Sequence, residues 1–213
     1  MRLLFLFITL FLISCGQKTS KKPEDLSKND TLKTLTDTIH STGEKAIAMT
    51  ESTGQPPTQL EIQVNGLLSA NPGNKWHVLN DNEARWISGQ FDYFIAPKRK
   101  ENPDYPYIAK GDFNGDGKID IAAVVTDTLK RNYQLAIILN ADEKNPEIIS
   151  WKEDIGEDAA ISNLPKTEIE GMVGDKTRKI KMKGDGINVE YFETASFVIY
   201  WNGSVFKRLQ TGD

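Results

Sequence analysis

The sequence has very few side chains that carry thiol or imidazole chemistry. It contains one Cys and two His among 213 residues. A single Cys excludes an intrachain disulfide and a cysteine-based metal site, and its position at Cys15 leaves no cysteine nucleophile for the rest of the chain. His40 and His77 stand far apart in the sequence, so they indicate neither a histidine metal site nor a catalytic triad.

The chain also lacks an excess of basic residues. Lys and Arg number 26 against 30 Asp and Glu, which gives a formal net charge of −4. Nucleic-acid binding requires a basic face, so we expect no nucleic-acid partner. Gly-x-Ser-x-Gly, Gly-x-x-x-x-Gly-Lys-Ser/Thr and Gly-x-Gly-x-x-Gly are all absent, which removes the usual sequence signals of serine hydrolases and nucleotide-binding proteins.

The only long apolar run stands at the N-terminus. Arg2 precedes Leu3–Ile13, which is apolar except for Thr9. As a helix this run would extend about 16 Å, too short for a hydrocarbon core of about 30 Å. A short apolar core after a positive charge is typical of a secretory signal peptide.

The residues that follow this run are Leu12-Ile13-Ser14-Cys15-Gly16. They resemble the lipobox of bacterial lipoproteins. The resemblance implies removal of residues 1–14, diacylglycerol on the sulfur of Cys15 and acylation of the new amine. It also implies anchoring in the bacterial cell envelope. The lack of Asp after Cys15 is consistent with delivery to the outer membrane under the enterobacterial sorting rule, with the periplasmic or surface face left open.

A change in composition divides the mature chain in two. Residues 15–57 are rich in Lys, Thr, Ser and acidic residues, contain no aromatic residue and end in Pro56-Pro57. Such a segment buries too little apolar surface to offset the entropy of ordering, so we expect a flexible tether. All Trp and Tyr residues lie within 58–213, where we expect one globular domain.

The patterns in this domain predict an α+β fold, mainly antiparallel sheet with one or two packed helices. Asn80–Glu83 is typical of a capping box, and the apolar spacing after it predicts a helix near 82–94. Pro97, Pro103 and Pro106 indicate an exposed loop. Asn202-Gly203 predicts a tight hairpin. The predicted strands are 60–64, 76–79, 119–125, 133–139, 147–151, 179–183, 187–191, 196–201 and 205–209.

One stretch carries a metal-binding pattern. Residues 111–120 read Gly-Asp-Phe-Asn-Gly-Asp-Gly-Lys-Ile-Asp. Asp112, Asn114, Asp116 and Asp120 occupy positions 1, 3, 5 and 9 of a loop, and Lys118 would contribute its backbone carbonyl. Gly117 occupies position 6, where the turn is sharp. This spacing wraps hard oxygen ligands around one ion and predicts calcium. The alternative is an Asx-rich turn that needs no metal.

The pattern departs from the EF-hand. Position 12 is Ala123, where an EF-hand has a bidentate Glu, and the residues after Asp120 favour a strand rather than a helix. The stretch resembles the strand-flanked calcium loops of the FG-GAP and VCBS repeats. It occurs once, so the propeller formed by those repeats is not expected.

Residues 75–213 also resemble small exported bacterial proteins. The shared features are this loop, a stretch like residues 184–187 and a stretch like residues 200–203. This wider resemblance implies no activity.

Two further groups of residues were considered as sites. The acidic pairs Glu153–Asp154 and Glu157–Asp158 are the candidates for a glycosidase couple, although a solvated surface explains neighbouring charges better. Aromatic residues near the C-terminus form either a sugar-stacking platform or part of the core. These residues are Tyr191, Phe192, Phe197, Tyr200, Trp201 and Phe206.

The sequence therefore favours a non-catalytic envelope lipoprotein with a calcium-stabilised domain. This domain would bind an envelope protein or glycan or have a structural role. A carboxylate-based hydrolase of envelope glycan or peptidoglycan is the alternative.

Overall fold

The computed structural model describes residues 55–70, 74–86, 89–127, 129 and 131–212. Cys15, the signal sequence 1–14, His40 and most of the expected tether lie outside these residues. Within these ranges, two short α-helices and a π-helix accompany eleven strands. The bounds are α1 Gln59–Ser69, β1 His77–Val78, the π-helix Phe91–Ile95, α2 Ala96–Glu101, β2 Ile108–Gly111, β3 Asp120–Asp127, β4 Asn132–Leu139, β5 Glu147–Ser150, β6 Ala160–Leu164, β7 Glu168–Val173, β8 Lys176–Lys181, β9 Gly186–Tyr191, β10 Ala195–Trp201 and β11 Phe206–Gly212.

The strands form two sheets rather than the single sheet that we expected. The first has the order β1-β3-β4-β5, and β2 also pairs with β3; the second has the order β6-β9-β10-β11-β7-β8. All strand pairs among the described residues are antiparallel, which confirms a mainly antiparallel β fold. β1 and β2 lie on the same edge of β3, because β1 pairs near Val125 and β2 pairs with 120–123.

The main core lies around β3, which is buried along its whole length. One continuous apolar cluster joins α1, the first sheet and the inner face of the second sheet. Since successive strand residues point to opposite faces, burial of every residue means that both faces of β3 are covered. The backbone N–H of Ile161 donates to the carbonyl of Pro106 at 2.8 Å, which connects β6 to the segment just before β2.

The predicted strand at 60–64 is wrong, because these residues lie in α1. Leu60, Val64 and Leu68 are the buried residues of this helix and stand four positions apart. The hydroxyl of Thr58 caps the helix by accepting the N–H of Glu61 at 3.1 Å. The alternation over 60–64 fitted a strand, but spacing by four over a longer window fits a helix equally well.

The helix predicted near 82–94 is also wrong in its extent. Asn80 forms a turn, since its carbonyl accepts the N–H groups of Glu83 and Ala84, but residues 84–86 are not helical, so Asn80–Glu83 does not begin a helix as predicted. Helical structure begins beyond Gly89 as the π-helix and continues as α2, with Pro97 in its first turn rather than in an exposed loop. The predicted capping box was therefore wrong, and the helix was placed too early.

The remaining strand predictions overlap observed strands, and three strands were missed: β2, β6 and β7. The hairpin at Asn202-Gly203 exists but is wider than a two-residue turn, because Trp201 pairs with Phe206. The side-chain oxygen of Asn202 accepts the N–H groups of Ser204 and Val205 and closes the four-residue loop.

Candidate functional site

The candidate calcium loop connects β2 to β3. Gly111 pairs with Asp120, so the loop 112–119 leaves and re-enters the first sheet at neighbouring positions. Phe113 is fully buried in the main core and fixes the start of the loop. Residues 115–119 are exposed to solvent. The loop is therefore an exposed turn whose first residues are held in the core by Phe113.

Asp112 holds the turn together through both of its carboxylate oxygens. One oxygen accepts the N–H groups of Gly115 at 2.8 Å and Asp116 at 3.0 Å. The other accepts the N–H of Gly117 at 2.9 Å. Gly117 has a φ of +85°, which confirms the sharp turn predicted at this position. Three backbone donors thus converge on one carboxylate.

The side chains of Asn114 and Asp116 complete the outer part of the loop. Asn114 Oδ1 accepts the N–H of Asp116 at 2.9 Å, and Asn114 Nδ2 donates to Asp116 Oδ2 at 3.0 Å. Asp116 Oδ1 accepts the N–H of Lys118 at 2.9 Å. The ammonium of Lys118 lies 2.7 Å from Glu143 Oε1 and is also attracted by the charge of Asp116. Lys118 is thus shared between the loop and Glu143, and the three carboxylates of the loop outnumber it.

Asp120 is the buried member of the set, with no exposed surface. Its Oδ2 accepts the N–H of Phe113 at 2.9 Å and of Asn114 at 3.3 Å, and its Oδ1 accepts the N–H of Asn140 at 2.9 Å. Burial raises the pKa of Asp120, and these three N–H donors offset part of the increase. Asp120 connects the loop to the end of β4.

These hydrogen bonds are compatible with both sequence hypotheses. They are the bonds expected of an Asx-rich turn, and the described residues contain no group of three His, Cys, Asp or Glu side chains arranged to hold a metal. A carboxylate has about four lone-pair sites, however, so an oxygen that accepts one N–H retains capacity for a cation. The donor set of carboxylate and amide oxygens is the chemistry that calcium prefers.

The loop packs against a second turn, Lys183-Gly184-Asp185. The N–H of Asp185 donates to the carbonyl of Asp112 at 2.7 Å, and Asp185 Oδ2 accepts the N–H of Asp112 at 3.2 Å. The other oxygen of Asp185 accepts the N–H of Lys166 at 2.9 Å. Asp185 therefore links the calcium-type loop of the first sheet to the strand ends of the second.

The hairpin that contains Asn202-Gly203 lies beside the same turn, because a Cβ added at Gly203 would clash with the side chain of Lys183. The three stretches that carry the wider sequence resemblance thus meet at one end of the two sheets. Sequence reasoning recognised the stretches separately and did not place them together, because the loop and the turn that contains Asp185 are 73 residues apart in the chain.

Three of the acidic residues and His77 have partners that explain their positions. Glu153 pairs with Arg208 at 3.1 Å and Glu157 pairs with Arg85 at 3.3 Å. Asp154 accepts the N–H of Gly156 at 2.8 Å. Nε2 of His77 lies within hydrogen-bond distance of Glu83 Oε1, at 2.8 Å.

The C-terminal aromatic residues are distributed over three places rather than one platform. Phe197 and Phe206 belong to the main core. Tyr200 packs in a smaller cluster around Val198 and Leu209. Phe192 stacks on Phe94 of the π-helix with ring centroids 4.6 Å apart. Core packing therefore explains most of this group.

The structure also contains a polar cavity that sequence reasoning missed. Its volume is about 220 Å³, and Asp81, Arg99 and Tyr107 form one wall. Arg99 makes a bidentate pair with Asp81, with N–O distances of 2.6 and 2.9 Å, and Tyr107 donates its hydroxyl to Asp81 at 2.9 Å. Burial acts to raise the pKa of Asp81, but the hydrogen bonds and charge of Arg99 outweigh it and lower the pKa. The lowered pKa of Asp81 is what is expected of an ionised carboxylate that is paired with a cation.

No protein family model matches this chain, and neither a curated protein nor a solved structure is similar to it at a significant level. Within the described ranges, no helix is long and apolar enough to cross a bilayer.

Proposed function

We propose that this chain is an exported bacterial lipoprotein, lipidated on Cys15, that carries a calcium-stabilised, non-catalytic domain in the cell envelope. The domain would have a structural role or bind an envelope protein or glycan, and its acidic charge argues against nucleic acid. We retain the α+β class for it because α1 contributes Leu60, Val64 and Leu68 to the main core. The observation that carries the proposal is the calcium-type loop docked on Asp185.

An excess of negative charge supports calcium in the loop. Asp112, Asp116 and Asp120 carry three carboxylates within nine residues, and the one cation of the loop, Lys118, is shared between Asp116 and Glu143. The backbone donors hold these carboxylates close together, where their mutual repulsion is reduced by a bound cation. The ligands would be the side chains of Asp112, Asn114, Asp116 and Asp120 with the carbonyl of Lys118, and the ion would stabilise the turn.

The partners of the carboxylates favour a binding or structural role over hydrolysis. A carboxylate hydrolase needs two opposed carboxyl groups across a cleft. Glu153 and Glu157 form ion pairs, and Asp81 in the polar cavity is held by both terminal nitrogens of Arg99. A carboxylate fixed in a bidentate pair is a poor proton donor and a poor nucleophile.

Added calcium should raise the melting temperature, and Asp116→Ala should abolish the increase. Extracellular calcium modules bind with dissociation constants of about 10⁻⁴–10⁻³ M, and tenfold excess over that constant adds about 1.4 kcal/mol of stability. For a domain of this size the shift is about 4 °C. Differential scanning calorimetry with calcium, magnesium and a chelator measures it, and magnesium should give a smaller shift because it retains its water ligands.

Asp175→Ala is the matched control, since Asp175 is exposed in the turn between β7 and β8. This variant should keep the calcium shift of the unmodified protein. An equal shift in Asp116→Ala, or no shift in the unmodified protein at millimolar calcium, would reject the calcium loop.

The mature native protein should begin at Cys15 and carry acyl chains. Several chains anchor firmly, because each buried CH₂ contributes about 0.8 kcal/mol. Intact-mass spectrometry of protein extracted from membranes checks this, with Cys15→Ser as the unlipidated control in the soluble fraction. Retention of Met1 or an unmodified sulfhydryl at Cys15 would reject the lipoprotein assignment without affecting the calcium test.

A further inference from the structure

The second sheet ends in a strand that is open along one edge. β8 is the last strand of this sheet, and among the described residues it pairs only with β7. All of its residues except Ile180 are exposed. In an antiparallel strand every second residue directs its N–H and C=O groups away from the partner strand. β8 therefore presents a row of unpaired backbone donors and acceptors to solvent.

The opposite edge of this sheet is formed by β6 and is not open in the same way. The N–H of Ile161 in β6 donates to the carbonyl of Pro106, so the segment before β2 lies beside that edge. Of the described strands at the ends of the two sheets, β8 is the longest. It is therefore the edge with the most room for a further strand.

The side chains of β8 are strongly cationic. Its sequence is Lys-Thr-Arg-Lys-Ile-Lys, with four basic residues and no acidic one, in a chain whose formal net charge is −4. Two of these cations face carboxylates of β7 on one face of the hairpin. The ammonium of Lys179 lies 3.4 Å from Glu170 Oε2, and Lys181 is in register with Glu168.

The other two cations, Lys176 and Arg178, lie on the opposite face and have no such partner. Arg178 is in register with Gly171, and Lys176 is in register with Val173. Gly171 has no side chain and Val173 is apolar, so β7 supplies no negative charge on this face. Neither cationic side chain makes a hydrogen bond or an ion pair with any described residue. Two positive charges on this face are thus uncompensated.

These charges disfavour a second copy of the chain and favour an acidic strand. Basic residues on an edge oppose pairing with a like-charged edge, and two β8 strands would bring only cations together. Carboxylates on an added strand would instead meet Lys176 and Arg178. An apolar residue beside Ile180 would extend the small cluster that Ile180 forms with Ile169 and Leu209. A bilayer surface fits less well, because the cations of β8 are divided between two faces.

We propose that β8 binds an extended acidic segment of another protein as an additional antiparallel strand. Carboxylates of the segment would lie beside Lys176 and Arg178, and an apolar side chain would lie beside Ile180. Main-chain hydrogen bonds then supply affinity, and the alternate side chains supply specificity. This inference rests on the binding role proposed above, for which it names the surface and the chemistry of the partner. It requires neither lipid on Cys15 nor calcium in the loop.

Two peptides of identical composition test the proposal when each is titrated into the full chain and the amide NMR signals are followed. In antiparallel pairing, Val-Thr-Glu-Thr-Glu-Thr places its Val beside Ile180 and its Glu residues beside Arg178 and Lys176. Val-Glu-Thr-Glu-Thr-Thr has the same charge, but its Glu residues lie on the other face, where Glu170 already pairs with Lys179. We expect the first peptide to bind more tightly and to shift the signals of β8.

Arg178→Glu reverses one of the two charges that the first peptide meets. It should weaken binding of this peptide about tenfold, because an attraction across the strands becomes a repulsion. Val-Thr-Lys-Thr-Lys-Thr should bind the variant better than it binds the unmodified protein. Lys144→Glu is the matched control, because it makes the same type of charge reversal at an exposed position between β4 and β5. It should leave binding of the first peptide unchanged.

Equal binding of the two acidic peptides, or unchanged binding in Arg178→Glu, would overturn the proposal. Binding to phosphatidylglycerol vesicles that Arg178→Glu abolishes would identify a membrane-contacting surface instead, and a dimer that the same variant dissociates would identify a second copy as the occupant. Either result would also overturn it. Arg178→Glu should keep the calcium-dependent increase in melting temperature, which shows that it is folded and separates failure of this surface from failure of the calcium loop.

Discussion

Asp120→Ala is expected to lower the free energy of unfolding by about 3 kcal/mol, or about 10 °C in melting temperature. The substitution removes the acceptors of the N–H groups of Phe113, Asn114 and Asn140 at a position with no exposed surface. Each orphaned, buried donor costs about 1–3 kcal/mol, and partial entry of water reduces the sum. The loss should appear in urea unfolding measured in the presence of a chelator, so that calcium contributes to neither variant.

Two comparisons separate the hydrogen bonds of Asp120 from its charge. Asp120→Asn keeps one oxygen and removes the charge, whose burial is unfavourable because folding raises the pKa of Asp120. We expect its loss to be smaller than that of Asp120→Ala. Asp142→Ala, in the exposed turn after β4, should change stability by less than about 0.5 kcal/mol. A loss of similar size in Asp142→Ala and Asp120→Ala would show that Asp120 has no special role in the fold.

Local sequence patterns predicted a strand correctly where a run of apolar residues was bounded on both sides by polar turn residues. β3 and β4 are continuous apolar runs, bounded by polar turns, and both were recognised. β6 and β7 were missed because their polar residues, such as Asn163 and Glu170, interrupt the apolar pattern on the outer face. α1 was misassigned because Leu60–Val64 satisfies two periods at once, although Thr58 and Glu61 have the spacing of a capping box.

The calcium-type loop could be recognised from sequence because all of its oxygen-bearing side chains lie within nine residues. The polar cavity could not be recognised in this way. Its charged residues Glu61, Asp81 and Arg99 belong to three different elements, and none of them stands in a motif. Only tertiary packing brings them together, so the sequence alone gives no signal that they share a site.

The second large effect is expected at Gly184, in the turn before β9 that packs against the loop. A Cβ at this position would lie 2.3 Å from the carbonyl oxygen of Asp112 and 2.6 Å from the nitrogen of Gly115. Both neighbours are backbone atoms of the loop, so no flexible side chain is available to move aside. Gly184→Ala should therefore push the loop away from Asp185 and lower the free energy of unfolding by about 2–3 kcal/mol.

Gly66→Ala is the control for the added methyl group, because Gly66 lies in α1 with nothing within 4 Å of the new Cβ. It should raise stability by up to about 1 kcal/mol, since Ala is the better helix former. The two Gly-to-Ala changes thus have opposite expected signs in the same urea titration. If Gly184→Ala were as stable as the unmodified protein, the contact between the calcium-type loop and Asp185 would not be a fixed part of the fold. In that case Asp112 and Asp185 would have to exchange their hydrogen bonds at 2.7 and 3.2 Å for bonds with water.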